Sequence, residues 1–160
     1  MPKNTSKTML DTSVSLQWGD LHQPVSETAA LRQVVTRARV HKWVQCALQT
    51  PGEITVRIEG TDEAQRLNKL YRKKAYATNV LTFDYAIEPV VMADLVLCAQ
   101  VVAREAAEQS KSLEAHYAHL IVHGTLHAQG YDHETGEKDA FEMEALEILL
   151  LGALGYPNPY

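Results

Sequence analysis

The pattern of apolar and polar positions along the chain predicts four strands and a series of helices. Two segments alternate with the period of a half-buried strand, and two more short segments also have the pattern of strands. The predicted strands are 14–18, 53–59, 79–85 and 93–98, with Glu88-Pro89 in the turn before the last one. Apolar residues spaced by three or four positions predict helices over about 26–48, 100–110, 112–129 and 137–151.

The helices carry local signals for their ends and for their buried sides. Ser26 and Ser112 have side chains suited to the N-terminus of a helix, and Thr61 can cap a short helix after the second strand. We expect that short helix to point Leu67, Leu70 and Tyr71 inward and its basic residues outward. The expected core side of the long first helix comprises Leu31, Val34, Val35, Ala38 and Trp43.

These elements predict an α+β fold in a single domain. Two strands joined by helical crossovers, followed by a hairpin, form a small mixed four-stranded sheet, which about five helices would cover. A chain of 160 residues is long enough to bury a core of this size. We expect residues 1–160 to be one domain, with a flexible N-terminus at about 1–10 and a flexible tail at 155–160.

Composition narrows the class of protein. Hydrophobic residues make up 46% and charged residues 22% of the chain, which is ordinary for a soluble globular protein. The chain shows neither a secretory signal nor an apolar stretch long enough to span a bilayer. Cys46 and Cys98 are too few for a disulfide framework, and we expect both to be small buried apolar residues. We therefore expect a cytoplasmic protein.

Charge is distributed unevenly along the chain, whose net charge is −5. Residues 64–77 hold five bases and no acid, whereas residues 134–147 hold six acids and one lysine. A basic segment of this kind either contacts phosphate groups or is a solvated helix face. Charge alone favours the solvated face.

The segment 123–133 carries the strongest chemical signal. On a helix, His123 and His127 lie about 40° apart on one side. Gly130 can end that helix in a left-handed conformation and return His133 to the same side. Three imidazoles with an open fourth position describe a catalytic zinc site. The alternative is that these are ordinary surface or core histidines.

The spacing of the three histidines also fits the metzincin proteases. Those enzymes need a glutamate directly after the first histidine as general base, and this chain has Gly124 there. A phosphodiester, whose cleavage relies on charge stabilisation, is the better substrate for such a site, and it requires a cation near the metal.

Other polar residues of this region leave several roles open. His116 and His119 lie upstream on the same helix, where surface positions or contacts behind the ligands are the favoured interpretation, since a fourth ligand would close the open position. Asp132 either orients a ligand imidazole or caps the turn after the glycine. Nothing indicates a role for His22 or His41.

The histidine segment His-Gly-Thr-Leu-His-Ala-Gln-Gly-Tyr-Asp-His resembles the signature of the YbeY family, which comprises bacterial metal-dependent endoribonucleases of ribosomal RNA maturation. Residues 67–83 resemble the family's arginine-bearing segment, and residues 93–98 resemble the strand that follows it. The resemblance covers about 53–150. Two positions depart from it: Ala77 replaces a usual proline, and Ala93 replaces a usual glycine. Both affect backbone freedom more than chemistry.

The resemblance implies a site and a function. His123, His127 and His133 would hold one zinc ion, and nickel or another divalent metal could take its place. Arg72 would bind the scissile phosphate as an active-site residue, while Lys69, Lys73 and Lys74 would follow the flanking backbone. The substrate would be single-stranded ribosomal RNA, cut during 3′-end processing of the small-subunit RNA and in ribosome quality control. The partners would be the small ribosomal subunit and its assembly factors, with no DNA and no membrane.

Two alternatives remain at this point. One is a metzincin-like zinc peptidase or other hydrolase. The other is a metal-stabilised module that binds the ribosome without catalysis.

Overall fold

A mixed four-stranded sheet organises the protein. We describe a computed structural model over residues 12–132 and 136–160. The strands are β1 (Ser13–Trp18), β2 (Gly52–Glu59), β3 (Val80–Ala86) and β4 (Val91–Cys98). The helices are α1 (Val25–Val34), α2 (Arg37–Ala47), α3 (Thr61–Arg72), α4 (Ala99–Glu108), α5 (Leu113–Ala128) and α6 (Glu137–Ala153). The α+β fold in one domain, predicted from the sequence, is confirmed.

The strand order is β1-β2-β4-β3, so the hairpin returns β4 to the middle of the sheet. β1, β2 and β4 run parallel, and the edge strand β3 is antiparallel to β4. Val56 of β2 lies between Leu16 of β1 and Leu95 of β4. All four predicted strands are confirmed within a few residues.

The main core lies on one face of the sheet, and α5 is its central helix. Eleven of the 16 residues of α5 are buried, because α2, α4, α6 and the sheet all contact it. Ser112 caps this helix as predicted, since its hydroxyl accepts a hydrogen bond from the Ala115 amide at 3.1 Å. On the opposite face, Leu67 of α3 packs with Leu81 and Val96 of the sheet. The site-bearing helix is therefore held in the interior.

The predicted long helix over 26–48 is wrong: two helices, α1 and α2, occupy this segment. The break falls at Thr36, whose extended backbone starts a new helix and whose hydroxyl accepts from the Arg39 amide at 3.2 Å. The apolar spacing continues through the break, so periodicity alone missed it. Ala38, expected in the core, is exposed, and the helices number six over the described ranges rather than about five.

The predicted orientation of α3 is correct only in part. Leu67 is buried, but Leu70 is 59% and Tyr71 is 61% exposed. Leu67 packs against Leu81 and Val96, whereas Tyr71 makes only an edge-on contact with the Phe83 ring of β3, so most of its side chain reaches solvent. Gly60 occupies the N-cap position expected for Thr61, which is the first helical residue.

The two cysteines differ in burial, and neither forms a disulfide. Cys98 is buried, as expected, whereas Cys46 is only partly buried. Within the described part of the chain, no helix is both long and apolar enough to cross a membrane.

Gly124 marks the closest approach of α5 to the sheet. A Cβ atom at this position would lie 3.0 Å and 3.2 Å from the two methyl groups of Leu95, and 3.4 Å from the Thr82 hydroxyl. Leu95 is completely buried, so these methyl groups have little room to move away. A small residue at position 124 is therefore needed for helix α5 to pack at this distance.

We expect Gly124→Leu to lower the free energy of unfolding by about 1–3 kcal/mol, because the larger side chain overpacks the core against Leu95. Chemical denaturation monitored by circular dichroism measures this change. Gly152→Ala in α6 is the matched control, since nothing lies within 4 Å of its Cβ position and alanine favours a helix. Equal stability of the Gly124→Leu variant and the wild type would contradict the proposed tight packing.

Candidate active site

A cavity of about 450 Å³ opens beside the C-terminal half of α5. It brings together residues from α3, the loop after it, β3, α5, α6 and the end of the chain. The lining side chains include Arg72, Lys74, Tyr76, Asn79, His119, His123, His127, Glu144, Glu147 and Tyr160. Two of the three predicted histidine ligands and the predicted phosphate-binding arginine therefore share one cavity.

The glycine after α5 ends that helix in a left-handed conformation, as the sequence predicted. Gly130 has a φ of +101°, and the Tyr131 amide donates to the Leu126 carbonyl at 3.3 Å, which closes the helix with a left-handed turn. The turn places the Tyr131 carbonyl 2.8 Å from Nδ1 of His127. Because a carbonyl only accepts, Nδ1 of His127 carries the proton and Nε2 carries the lone pair.

His123 has the same protonation pattern through a different partner. Its Nδ1 lies 2.8 Å from Oε2 of Glu147, a carboxylate of α6. The carboxylate accepts, so Nδ1 is protonated and Nε2 of His123 carries the lone pair. The rings of His123 and His127 are nearly parallel, at 24°, with centroids 6.5 Å apart. Both imidazoles are thus fixed in the tautomer that binds a metal through Nε2.

Glu147 is the centre of a buried hydrogen-bond network. The residue is completely buried, and its Oε1 accepts from Nε2 of His119 at 2.7 Å and from the Tyr160 hydroxyl at 2.5 Å. Burial alone would raise the pKa of the Glu147 carboxyl. Its three hydrogen-bond donors, with His123 as the third, outweigh burial and lower that pKa to about 2. The carboxylate is therefore charged at neutral pH, which favours its role as an acceptor for the imidazoles.

The third predicted ligand, His133, lies outside the described residues. Over residues 12–132 and 136–160, no cluster of three metal-ligating side chains is found. Asp132 is the last described residue before this gap. The donor set of His123 and His127 nevertheless fits a zinc-type metal, because each imidazole has its second nitrogen bound to an oxygen acceptor, as in metal-binding histidines generally.

The predicted cations separate into two groups. Arg72, at the end of α3, and Lys74 line the cavity with the histidines. Lys73, between them in the sequence, has a φ of +58°, and its side chain does not line this cavity. Together with Lys69, it lines a separate surface depression on α3. The structure therefore brings Arg72 and Lys74 to the histidines but does not bring Lys69 and Lys73 there.

The loop between α3 and β3 is held from both sides of the cavity. The buried Asn68 of α3 donates its Nδ2 to the Tyr76 carbonyl at 2.7 Å. Asn79 donates to Glu105 of α4 at 3.0 Å, and that carboxylate accepts from Nε2 of His116 at 2.9 Å. The loop that carries Lys74 is thus fixed relative to α5.

The upstream histidines are not surface residues. His116 is buried against Glu105, and burial lowers its pKa despite that carboxylate. His119 is also buried and uses Nε2 to donate to Glu147, so its role is behind His123 rather than on the helix surface.

Two residues of the network were missed by sequence reasoning. Glu147 looked like one more acid of an acidic helix, yet it lies four residues from each of the buried Met143 and Leu151. An acid at a core position of a helix is rare unless it is paired, and this spacing was the available signal. Tyr160, in the tail expected to be flexible, contacts both Glu147 and His119. No local pattern indicates that contact.

Comparison with known proteins identifies the family. The family model described as Endoribonuclease YbeY matches residues 21–155. This chain belongs to the YbeY family. The Endoribonuclease YbeY of Polaromonas sp. strain JS666 is 64% identical over 147 residues, which are 92% of this chain and 93% of that protein. The protein of the same name from Methylibium petroleiphilum is 58% identical over 147 residues, with the same coverage of 92% and 93%.

A solved structure resembles the fold of this YbeY chain. The solution structure of TM1509 from Thermotoga maritima superposes with a TM-score of 0.55 and 21% sequence identity. The match covers 89% of this chain and 91% of TM1509. This likeness supports the arrangement of helices and strands.

Proposed function

We propose that this protein is a zinc-dependent endoribonuclease that cuts single-stranded ribosomal RNA in the cytoplasm. Its relatives at 57–64% identity are named endoribonucleases, and they match most of their own length. In this proposal the enzyme matures the 3′ end of the small-subunit RNA and acts in ribosome quality control. Its partners are the small ribosomal subunit and its assembly factors.

The observation that carries the proposal is the shared cavity of Arg72, Lys74, His123 and His127. A guanidinium group binds two oxygens of a phosphodiester at once, and a lysine adds a second positive charge. Imidazoles with Nε2 lone pairs supply the ligands for a metal beside that phosphate. An anionic substrate that needs charge stabilisation matches this combination better than a neutral peptide.

In the proposed site, His123, His127 and His133 hold the metal. When bound, zinc would supply Lewis-acid chemistry that polarises water and a phosphoryl oxygen. Arg72 holds the scissile phosphate and stabilises the charge that develops on it. Lys74 contacts the neighbouring backbone, whereas Lys69 and Lys73 bind RNA that extends over the outer side of α3. The exposed carboxylate of Glu144 also lines the cavity.

The peptidase alternative is disfavoured by the position of Gly124. A glutamate there, as the protease mechanism needs, would have to occupy space that Leu95 and Thr82 fill. The non-catalytic alternative, a metal-stabilised ribosome-binding module, gives no reason for the position of Arg72 beside the histidines. It is distinguished by whether the purified protein cuts RNA.

The test is a cleavage assay on single-stranded and structured RNA, with and without a chelator. We expect cleavage of the single-stranded RNA, its loss on chelation and its recovery when zinc is added back. Casein or peptide turnover in place of RNA cleavage would support the peptidase. Metal-dependent thermal stability without any RNA cleavage would support the non-catalytic module. A parallel preparation of the Arg72→Ala variant detects contaminating nuclease.

A further inference from the structure

We infer that Tyr160 is a positioning residue of the active site, which acts on the metal through Glu147 and His123. The inference rests on the proposed function, because it concerns the metal that His123 would hold. The structure places the Tyr160 hydroxyl 2.5 Å from Oε1 of Glu147, whose other oxygen lies 2.8 Å from Nδ1 of His123. A chain of two hydrogen bonds thus joins the end of the described chain to a ligand imidazole.

The orientation of the Glu147 carboxylate depends on its hydrogen-bond donors. A glutamate carboxylate rotates about its last torsion angle with weak intrinsic preference. Donors on both oxygens of Glu147 determine its plane: His119 and Tyr160 on Oε1, and His123 on Oε2. Because this carboxylate is completely buried, removal of one donor leaves a carboxylate oxygen without that hydrogen bond unless a water molecule enters the site. The Tyr160 hydroxyl therefore helps to set the orientation of the imidazole.

The ring of Tyr160 contacts a second member of this hydrogen-bond network. It packs edge-on against His119, with centroids 5.3 Å apart and an angle of 82° between the ring planes. His119 is 9% exposed, although Tyr160 itself is 60% exposed. The tyrosine ring thus covers one side of His119 and limits the access of water to the hydrogen bonds of Glu147 from that side. Water exclusion strengthens such charged hydrogen bonds.

The segment 156–160 is held against α5 by contacts of both Tyr156 and Tyr160. Tyr156, four residues earlier, donates its hydroxyl to Glu114 at 2.6 Å and accepts from the Trp43 indole at 3.1 Å. Glu114 lies in the first turn of α5, and His119 lies in the same helix closer to the cavity. The segment 156–160 therefore contacts α5 at two residues, Glu114 and His119, and of these two only His119 lines the cavity. Tyr156 also offers a matched control, since it too donates to a carboxylate.

The experiment measures zinc affinity in the full-length protein, by competition with a chromophoric chelator. The Glu147→Gln variant removes the charge that accepts from His123, and we expect its zinc dissociation constant to rise about 10–100-fold. Tyr160→Phe removes only the hydroxyl, and we expect a rise of about threefold to tenfold. For Tyr156→Phe we expect a lower melting temperature and a zinc dissociation constant within about twofold of the wild type. RNA cleavage by Tyr160→Phe should be reduced at limiting zinc and recover at excess zinc.

An unchanged zinc affinity in a folded Tyr160→Phe variant would overturn the inference and leave the proposed function intact. The same affinity loss in Tyr156→Phe and Tyr160→Phe would also overturn it, because the effect would then reflect general stability. A wild-type protein that binds no zinc would overturn the metal site of the proposed function, and the inference with it. Circular dichroism melting curves of all variants confirm that each measurement is made on folded protein.

Discussion

The Arg72→Ala variant is expected to lose at least about 10²–10³-fold in the rate of RNA cleavage, which is the cost of removing one donor that stabilises charge in a transition state. Arg72 lines the same cavity as His123 and His127, so its guanidinium is placed to bind the phosphate at the reacting centre. Single-turnover cleavage of a labelled single-stranded RNA at saturating zinc measures the loss. Zinc affinity should stay close to that of the wild type.

Two further variants determine what Arg72 contributes. Arg72→Lys retains the charge without the two-pronged geometry, so we expect an activity between those of the wild type and the alanine variant. Lys73→Ala removes the adjacent charge, which faces a different depression. We expect it to weaken RNA binding and its salt dependence, and to keep the single-turnover rate at saturating enzyme within about twofold of the wild type. Full activity of a folded Arg72→Ala enzyme would rule out this role.

The fold was largely predictable because its strands have simple patterns. Residues 53–59 alternate since one side of β2 packs in the core and the other is covered only in part. The hairpin could be inferred from two adjacent strand segments separated by a turn that contains Pro89. What the patterns do not contain is strand order: the insertion of β4 between β2 and β3 depends on contacts between distant segments.

The errors in the helices have a common cause. Apolar spacing reports which side of a helix could be buried, whereas actual burial depends on how much neighbouring structure covers that side. Leu70 and Tyr71 follow the spacing but remain mostly exposed, because Tyr71 contacts only the Phe83 ring of β3 and the main core covers neither side chain. The break at Thr36 shows the opposite effect, since a local capping interaction interrupts a pattern that continues through it.

In the candidate site, too, the local features were predictable from the sequence and the long-range contacts were not. The pair His123 and His127, with the turn at Gly130, is local and was predictable from helix geometry. The residues that support this pair come from far along the chain. Glu147 lies 24 residues after His123, and only the packing of α6 on α5 brings its carboxylate to that imidazole. A charged residue on the apolar side of α6 was a visible signal, but its partner was not.

The His123→Ala variant is expected to lose both bound metal and RNA cleavage. Removal of one of the three proposed ligands takes away its Nε2, and it also leaves the buried Glu147 without one of its hydrogen-bond partners. The second effect lowers stability by about 1–3 kcal/mol, so loss of activity could reflect partial unfolding. Metal content after dialysis, cleavage rate and melting temperature should therefore be measured together.

His127→Ala separates the two effects, because Nδ1 of His127 donates to the Tyr131 carbonyl near the cavity rather than to a buried carboxylate. We expect this variant to lose metal and cleavage with a smaller change in melting temperature. His41→Ala is the control for a histidine far from the site, since His41 is exposed on α2, and it should behave as the wild type. Metal-free His123→Ala or His127→Ala protein that still cleaves RNA at the wild-type rate would refute the three-histidine site, because the remaining cavity residues would then suffice for the reaction.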